Sequence, residues 1–368
     1  MKLKERISWL MGTIQQSLFP HLNECLPVAL EEREKHLVKI LELIRIEQHI
    51  PARACRQWLG RPLKEREAIA RAFVAKAIFK YQHTRTLRNE LRSISNLRII
   101  CGFSRRQDVP SESTFSRAFA EYAKAGLGMA VHDALVKEHL STELIGHVSR
   151  DSTAIVGREK PVKKAKPAKK LKRKGRPAKR EQREPAEPKR LDVQRSQSAQ
   201  EAIVLLPRIC DRGVKKNAKG YTETWNGFKL HLDVNDCGLP LSVVLTSASV
   251  HDSQVAIPLM KLTSNKVTYC YDLMDAAYDA AQVWDESRDL GHVPIIDRNP
   301  RGKEAIPMSP HEKARYNERT ASERCNSRLK EEFGGRSVMV RGADKVMMHL
   351  MFGILALFAD QLLKVTGY

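Results

Sequence analysis

Four residues near the end of the chain combine side chains that bind metal ions with side chains that bind phosphates. They follow the spacing Tyr-x2-Arg-x3-Glu-x6-Lys and are Tyr316, Arg319, Glu323 and Lys330. On an α-helix these offsets correspond to rotations of roughly 300°, 340° and 320° from the tyrosine, so all four side chains share an arc of about 60°. A carboxylate flanked by cations suits a site that grips a phosphate backbone. The alternative is a solvated, ion-paired surface helix.

Two further carboxylates come at the ends of apolar, β-type runs. Asp151 ends the run from residue 145, and Asp275 follows the run 266–273. Phosphodiester cleavage and transfer use two divalent ions about 4 Å apart, and hard Mg²⁺ prefers carboxylate ligands from separate elements. Asp272 competes with Asp275, but it falls within the strand. We therefore expect Asp151, Asp275 and Glu323 to converge as catalytic, metal-binding residues.

The elements that must position these carboxylates form a mixed α/β pattern. Alternating apolar and polar residues predict five strands, and longer periodic segments predict helices between and after them. The strands are expected at 145–150, 227–234, 241–250, 266–273 and 293–296, and the helices at 254–262, 277–290 and 310–333. Three strands, then strand and helix in alternation, is the order of a ribonuclease H-like catalytic domain with a mixed five-stranded sheet.

The first part of the chain lacks strand signals and predicts an all-α domain. Apolar residues recur at helical spacing through residues 30–145, and Ser111 is a plausible N-cap for a helix that ends near Gly126. This helix and the one before Gly102 could form a helix-turn-helix or belong to a packed bundle. We place the all-helical DNA-binding or accessory domain at residues 1–144 and the catalytic domain at residues 145–368.

A basic insertion interrupts the catalytic domain after its first strand. Residues 158–190 contain 16 Lys or Arg, four Glu and five Pro, and such a segment cannot bury a core, so we expect disorder over residues 158–200. Within it, a Gly-Arg-Pro core resembles an AT-hook, whose arginine enters a narrow minor groove. A polybasic linker that binds phosphates without preference is the alternative. The expected DNA-binding residues are Lys172, Arg173, Lys174 and Arg176.

The three acidic motifs together resemble those of the DDE transposases encoded by bacterial insertion sequences. Arg150-Asp151-Ser152-Thr153 is similar to the first motif, Asp275-Ala276-Ala277-Tyr278 to the second, and the spacing around Glu323 to the third. The resemblance covers roughly residues 145–365. It implies that Asp151, Asp275 and Glu323 bind two Mg²⁺, with Mn²⁺ as a substitute, and that Tyr316, Arg319 and Lys330 hold DNA phosphates.

The implied function is a transposase that binds the terminal inverted repeats of its element, cuts the 3′ end and transfers the 3′ hydroxyl strand into target DNA. The implied partners are double-stranded DNA and further copies of the chain, as a homodimer or higher assembly on DNA. A catalytically silent, transposase-derived DNA-binding regulator is the alternative in another class. An RNase H-like nuclease without strand transfer is also open.

Composition agrees with a nucleic-acid partner. The 368 residues have a net charge of +21 and a pI near 9.8, which favours polyanions. Seven cysteines without a C-x-x-C pair argue against a structural zinc site and a disulfide framework, and no signal peptide is visible. We expect a cytoplasmic, nucleoid-associated protein with neither a membrane span nor a small-molecule substrate, and we expect the apolar stretch 346–363 to be a buried helix.

Three aromatic residues of the catalytic region have two interpretations each. His231 and His251 could shuttle protons or bind metal, but two-metal transfer needs no side-chain base, so structural roles are favoured. Trp225 could stack on an unpaired base or simply pack. Packing is the commoner role for a lone tryptophan, and we favour it.

Overall fold

The computed structural model describes residues 29–50, 66–162, 188–216, 220–300, 304 and 307–367. A bundle of helices comes first and a mixed sheet covered by helices follows, as the sequence predicts. The helices before the sheet are α1 Glu32–Ile44, α2 Arg66–Ile78, α3 Thr84–Ser93, α4 Ser95–Ile100, α5 Glu112–Ala125 and α6 Leu127–Leu140. A 3₁₀ turn, Ile46–His49, follows α1.

Helix α5 begins and ends where the sequence predicts. The hydroxyl of Ser111 accepts a hydrogen bond from the Thr114 amide at 3.4 Å, and Gly126 ends the helix with a φ of +65°. Of the two alternatives left open for this region, the helix-turn-helix does not fit, because eleven residues separate α4 from α5, whereas such motifs use a turn of about three or four. Instead Phe115 and Phe119 lie inside a packed bundle.

The sheet contains the five predicted strands and one more. The strands are β1 Leu144–Val156, β2 Asp211–Lys216, β3 Thr222–Asn235, β4 Pro240–Ser247, β5 Thr268–Met274 and β6 Val293–Ile296. β1 pairs antiparallel with β3 and parallel with β5, β5 pairs parallel with β6, and both β2 and β4 pair antiparallel with β3. This is the ribonuclease H-like arrangement. β2 was not predicted because its sequence, DRGVKK, is almost wholly polar.

The remaining helices lie between and after the strands. They are α7 Arg190–Ser196, α8 Ala199–Val204, α9 Ser253–Ser264, α10 Ala281–Asp289, α11 Pro310–Tyr316, α12 Thr320–Glu331 and α13 Ala343–Thr366. The single long helix expected over 310–333 is wrong. A 3₁₀ turn at Asn317–Arg319 separates α11 from α12, so the ideal helical rotation holds only approximately across it.

Helix α13 fills the centre of the helical bundle although it comes from the other end of the chain. Its Phe352 stacks on Phe73 of α2, with ring centroids 5.3 Å apart, and lies 6.1 Å from Phe119 of α5. By length and composition α13 could cross a membrane, but 89% of its most apolar stretch is buried inside the protein. It is a core helix, as expected, and it joins the bundle and the sheet in one hydrophobic core.

The last part of the predicted basic insertion is folded. Residues 190–204 form α7 and α8, and Lys261 of α9 donates to the carbonyls of Gln194, Arg195 and Gln197 at 2.7–3.1 Å. These bonds satisfy the free carbonyl groups at the end of α7. The predicted AT-hook residues Lys172, Arg173, Lys174 and Arg176 lie outside the described residues.

Candidate active site

The register between two parallel strands brings Asp151 and Asp275 to the same edge of the sheet. Ser149 of β1 lies opposite Leu273 of β5, with the same offset along the whole ladder. Two residues further along each chain come Asp151, still within β1, and Asp275, just past the end of β5. Side chains two residues apart on a strand share a face, so the register carries both carboxylates to one side of the sheet.

Asp151 is a partly buried carboxylate whose negative charge is poorly compensated. Burial, together with the nearby charges of Asp275 and Asp252, raises its pKa to about 6, while a hydrogen bond from the Ser152 backbone and the charge of Arg319 act in the opposite direction. The side-chain amide of Asn326, on α12, donates to Asp151 Oδ2 at 3.0 Å. α12 therefore holds the orientation of this carboxylate.

Asp275 begins a 3₁₀ turn at the end of β5. Its Oδ1 accepts a hydrogen bond from the Ala277 amide at 3.0 Å. Burial raises its pKa, and the charge of Asp252 adds to that effect. The competitor Asp272 lies on the opposite face of the sheet, fully buried, and binds Arg150 Nη1 through its Oδ1 at 3.2 Å. The structure therefore gives Asp272 a structural ion pair.

Glu323 is bound by an arginine of the same segment. Its side chain is 53% exposed and accepts a hydrogen bond from Arg319 Nη2. Burial alone would lower the pKa of Arg319, but the charges of Tyr316, Glu323, Asp151 and Asp275 raise it. The guanidinium of Arg319 is thus the cation that all three predicted metal ligands share.

Tyr316 precedes Glu323 in the chain, and Lys330 follows it. Tyr316 is partly buried, and its pKa is raised by burial and by Asp297 and Asp275. Lys330, near the end of α12, has a pKa lowered by burial and by Lys215 and Arg336, with Asp151 acting in the opposite direction. Both residues lie close enough to the aspartates to be affected by their charge.

Asp252, just before α9, is an acid that the sequence reasoning missed. It influences the pKa of both Asp151 and Asp275, and its Oδ1 accepts a hydrogen bond from Lys229 Nζ at 3.0 Å. Burial would raise the pKa of Asp252, but His231 and Lys229 lower it below the usual value. The available signal was the sequence His251-Asp252, which follows the third predicted strand.

The side chains of the two histidines and the tryptophan make local contacts within the protein. His231 is fully buried, its Nε2 lies 3.0 Å from Thr246 Oγ1, and burial lowers its pKa to about 4. His251 is exposed, with its Nδ1 2.9 Å from Ser253 Oγ. Trp225 donates from Nε1 to the Phe228 carbonyl at 3.0 Å and covers Gly213, where a Cβ would meet the ring at 2.4 Å. Packing accounts for the tryptophan.

The described part of the chain contains no ready-made group of three His, Cys, Asp or Glu side chains that could hold a metal ion. What it contains is a pair of buried aspartates, a third acid on an exposed turn of α12, and an arginine among them. Such a concentration of negative charge attracts hard cations, and the surrounding Tyr316, Arg319 and Lys330 suit phosphate oxygens. The arrangement fits chemistry on a phosphodiester.

The strand order and the position of the aspartates define the class: a ribonuclease H-like catalytic domain that follows a helical region. Two family models match the chain, Transposase DDE domain over residues 151–359 and Transposase domain (DUF772) over residues 26–121. The first spans more than half of the chain, so this protein belongs to the DDE transposase family, as the sequence motifs indicated. No curated protein and no solved structure gives a significant match.

Proposed function

We propose that this transposase binds the terminal inverted repeats of its own insertion sequence, hydrolyses the phosphodiester at the 3′ end, and transfers the 3′ hydroxyl strand into target DNA. The observation that carries the proposal is the β1–β5 register, which supports a shared site for Asp151 and Asp275 beneath α12. The spacing from Tyr316 to Lys330 supports assignment to the group with that signature.

The donor set fits divalent metal ions. Buried carboxylates with raised pKa values favour any cation that relieves their repulsion, and oxygen ligands select Mg²⁺, with Mn²⁺ as a substitute. Asp151, Asp275 and Glu323 would hold two ions. When bound, these ions would activate the attacking oxygen and stabilise the leaving oxygen. Asn326 would fix the orientation of Asp151 throughout.

Arg319, Tyr316 and Lys330 would bind the DNA phosphates near the cut. Arg319 is bound to Glu323. A phosphate of the transposon end offers the guanidinium a bidentate partner, so DNA binding would release Glu323 toward the two aspartates. Phosphate binding and completion of the acidic triad would then be coupled, which restrains cleavage until DNA is in place.

The wider assembly follows from the same proposal. Residues 1–144 would form the DNA-binding or accessory domain and residues 145–368 the catalytic domain, with Lys172, Arg173, Lys174 and Arg176 as additional DNA contacts. Both transposon ends must meet before transfer, so we expect a dimer or a larger assembly on double-stranded DNA. We expect the protein to act in the cytoplasm.

The test is a Mg²⁺-dependent cleavage and strand-transfer assay on a duplex that carries the end of the element. Glu323→Gln should abolish cleavage and leave affinity for the duplex nearly unchanged, because the substitution removes a ligand and no phosphate-binding cation. Glu318→Gln, an exposed acid five residues earlier on the same segment, is the matched control and should cleave normally. Full activity of Glu323→Gln would remove Glu323 from the site.

A second candidate is a catalytically silent, transposase-derived regulator. The observation that favours it is that Glu323 is exposed and bound to Arg319, so that its carboxylate is already paired with a cation. Tight binding of a confirmed end duplex without cleavage, by the native chain and by Asp151→Asn alike, would select the regulator. Cleavage without joined products would instead indicate a nuclease.

A further inference from the structure

A deep basic cleft lies between the helical bundle and the segment that follows the candidate active site. Its volume is about 1050 Å³. One wall comes from α2 and α3 and the residues between them, and the other from the end of α12, the following loop and the start of α13. Phe73, Phe119 and Phe352 of the core lie at its base.

Among the described residues that line the cleft, positive charges outnumber negative ones. Eight Lys and Arg side chains line it against two Glu, a net charge of +6. Both glutamates are already engaged, Glu112 with Arg85 at 3.0 Å and Glu331 with Arg336. Among the described residues, the other six cations form no salt bridge, although the charges of Asp151 and Glu331 reach Lys330: Lys76, Lys80, Arg158, Lys330, Arg341 and Lys345.

Two of these lysines have lowered pKa values because their surroundings disfavour the charged form. Burial lowers the pKa of Lys76 to about 8, and burial together with Lys215 and Arg336 lowers the pKa of Lys330. An anion that enters the cleft would stabilise the charged form of these two lysines. Since the described residues that line the cleft include too few carboxylates to balance its cations, an external anion is the natural counter-charge.

We propose that this cleft binds the phosphodiester backbone of duplex DNA next to the bond that is cut, so that both the bundle and the catalytic region contact the same duplex. The inference rests on the proposed function. α12 connects the two places, because Glu323 and Lys330 are seven residues apart on it, roughly 10 Å along the helix axis. The DNA that leaves the acidic site would therefore enter the cleft.

The distribution of the cations favours a polymer over a small phosphate. A site for one phosphate draws its donors toward a single point, whereas these cations lie along two walls of a cavity at the upper limit of small-molecule pockets, about 1,000 Å³. The bound DNA could be the transposon end or the target. Both present the same backbone chemistry, and the experiment separates them.

The test neutralises exposed cations on both walls in the full-length chain. In the variant Lys80→Gln/Arg341→Gln/Lys345→Gln, affinity for a fluorescent duplex should fall about tenfold or more, and the slope of log affinity against log salt should fall by about one for each cation removed. The control Lys39→Gln/Lys124→Gln/Lys137→Gln removes three exposed charges outside the cleft and should change the slope little.

A second measurement locates the DNA. A benzophenone amino acid at Gln82, which lines the cleft, should cross-link the duplex efficiently, and one at Lys124 should not. Use of an end duplex and an unrelated duplex separates the sources. A larger loss on the end duplex assigns the cleft to the transposon end, and an equal loss on both assigns it to DNA of any sequence, including the target.

The outcomes separate this inference from the proposed function. A native salt slope in the cleft variant and no cross-link at Gln82, with cleavage still dependent on Glu323, would overturn the cleft and leave the transposase mechanism intact. A reduced salt slope in the cleft variant and a cross-link at Gln82, in a protein whose native form never cleaves DNA, would support the cleft as a DNA-binding site and contradict the transposase mechanism.

Discussion

Arg150 and Asp151 are neighbours on β1, yet their side chains lie on opposite faces of the sheet in contrasting electrostatic surroundings. Arg150 is fully buried between Asp233, at 2.7 Å, and Asp272, at 3.2 Å. Thr263 donates to Asp233 and Ser287 to Asp272, each at 2.7 Å. On the other face, Asp151 has Asp275 and Asp252 nearby, while Arg319 is bound to Glu323 and Lys229 to Asp252.

The contrast between the two faces of β1 separates acids that stabilise the fold from acids that are available for chemistry. Burial alone would raise the pKa of Asp272, but Arg150, His292 and Ser287 lower it below the usual value. Burial raises the pKa of Asp151 to about 6 and nothing reverses the shift. A buried carboxylate whose hydrogen bonds and charges are satisfied stabilises a fold, and one left in excess marks a site that awaits a ligand.

Removal of Arg150 should produce the largest loss of stability. Arg150→Met leaves two carboxylates buried without a cation, and we expect the free energy of unfolding to fall by about 3–5 kcal/mol in urea titrations. The control is Arg195→Met, since Arg195 also meets three acids but lies on the surface, and its loss should cost at most about 1 kcal/mol. Equal losses in the two variants would show that burial does not distinguish these clusters.

Neutralisation of Asp151 should have the opposite sign and a marked pH dependence. In the folded protein this carboxyl binds a proton up to about pH 6, against 3.8 for its ordinary value. The native chain therefore loses stability as pH rises between these values, and Asp151→Asn does not. Above pH 6 the variant should be more stable by about 1–3 kcal/mol, and below pH 4 the two should be similar.

The measurement is the free energy of unfolding by urea in metal-free buffer from pH 4 to pH 8. Asp289→Asn, an exposed acid on α10, should show no comparable change with pH. A variant Asp151→Asn that is less stable than the native chain at pH 7 would show that Asp151 is compensated in the folded state. The contrast between the two faces of β1 would then disappear.

The sequence predicted the order of the sheet and the three acidic motifs because both depend on local patterns. Alternating residues identified five strands, and the parallel pairing of β1 with β5 follows from the order of the elements. The family assignment is confirmed, and the roles of Asp151, Asp275 and Glu323 stay predictions. Two of these residues, Asp151 and Asp275, lie at one edge of the sheet because of the residue offset between β1 and β5 alone.

Features that depend on distant contacts could not be predicted. The sequence does not show that Arg150 is enclosed by Asp233 and Asp272, because those partners are 83 and 122 residues away. It does not show that α13 enters the first bundle, since an apolar helix can pack against any apolar surface. The bond between Arg319 and Glu323 is a local i,i+4 pair, yet whether it forms depends on the neighbouring aspartates.

The smallest expected effect concerns the contact that links α12 to the aspartates. Asn326→Ala removes the 3.0 Å hydrogen bond to Asp151 Oδ2, and the free energy of unfolding should fall by about 1 kcal/mol. The rate of DNA cleavage should fall by more than this small loss of stability explains, because Asp151 would lose its fixed orientation while its charge remains. Asn326→Gln, which keeps the amide, should restore part of the activity if reach allows. Equal cleavage by Asn326→Ala and the native chain would mean that other contacts orient Asp151, and α12 would contribute only Glu323 and the phosphate-binding cations.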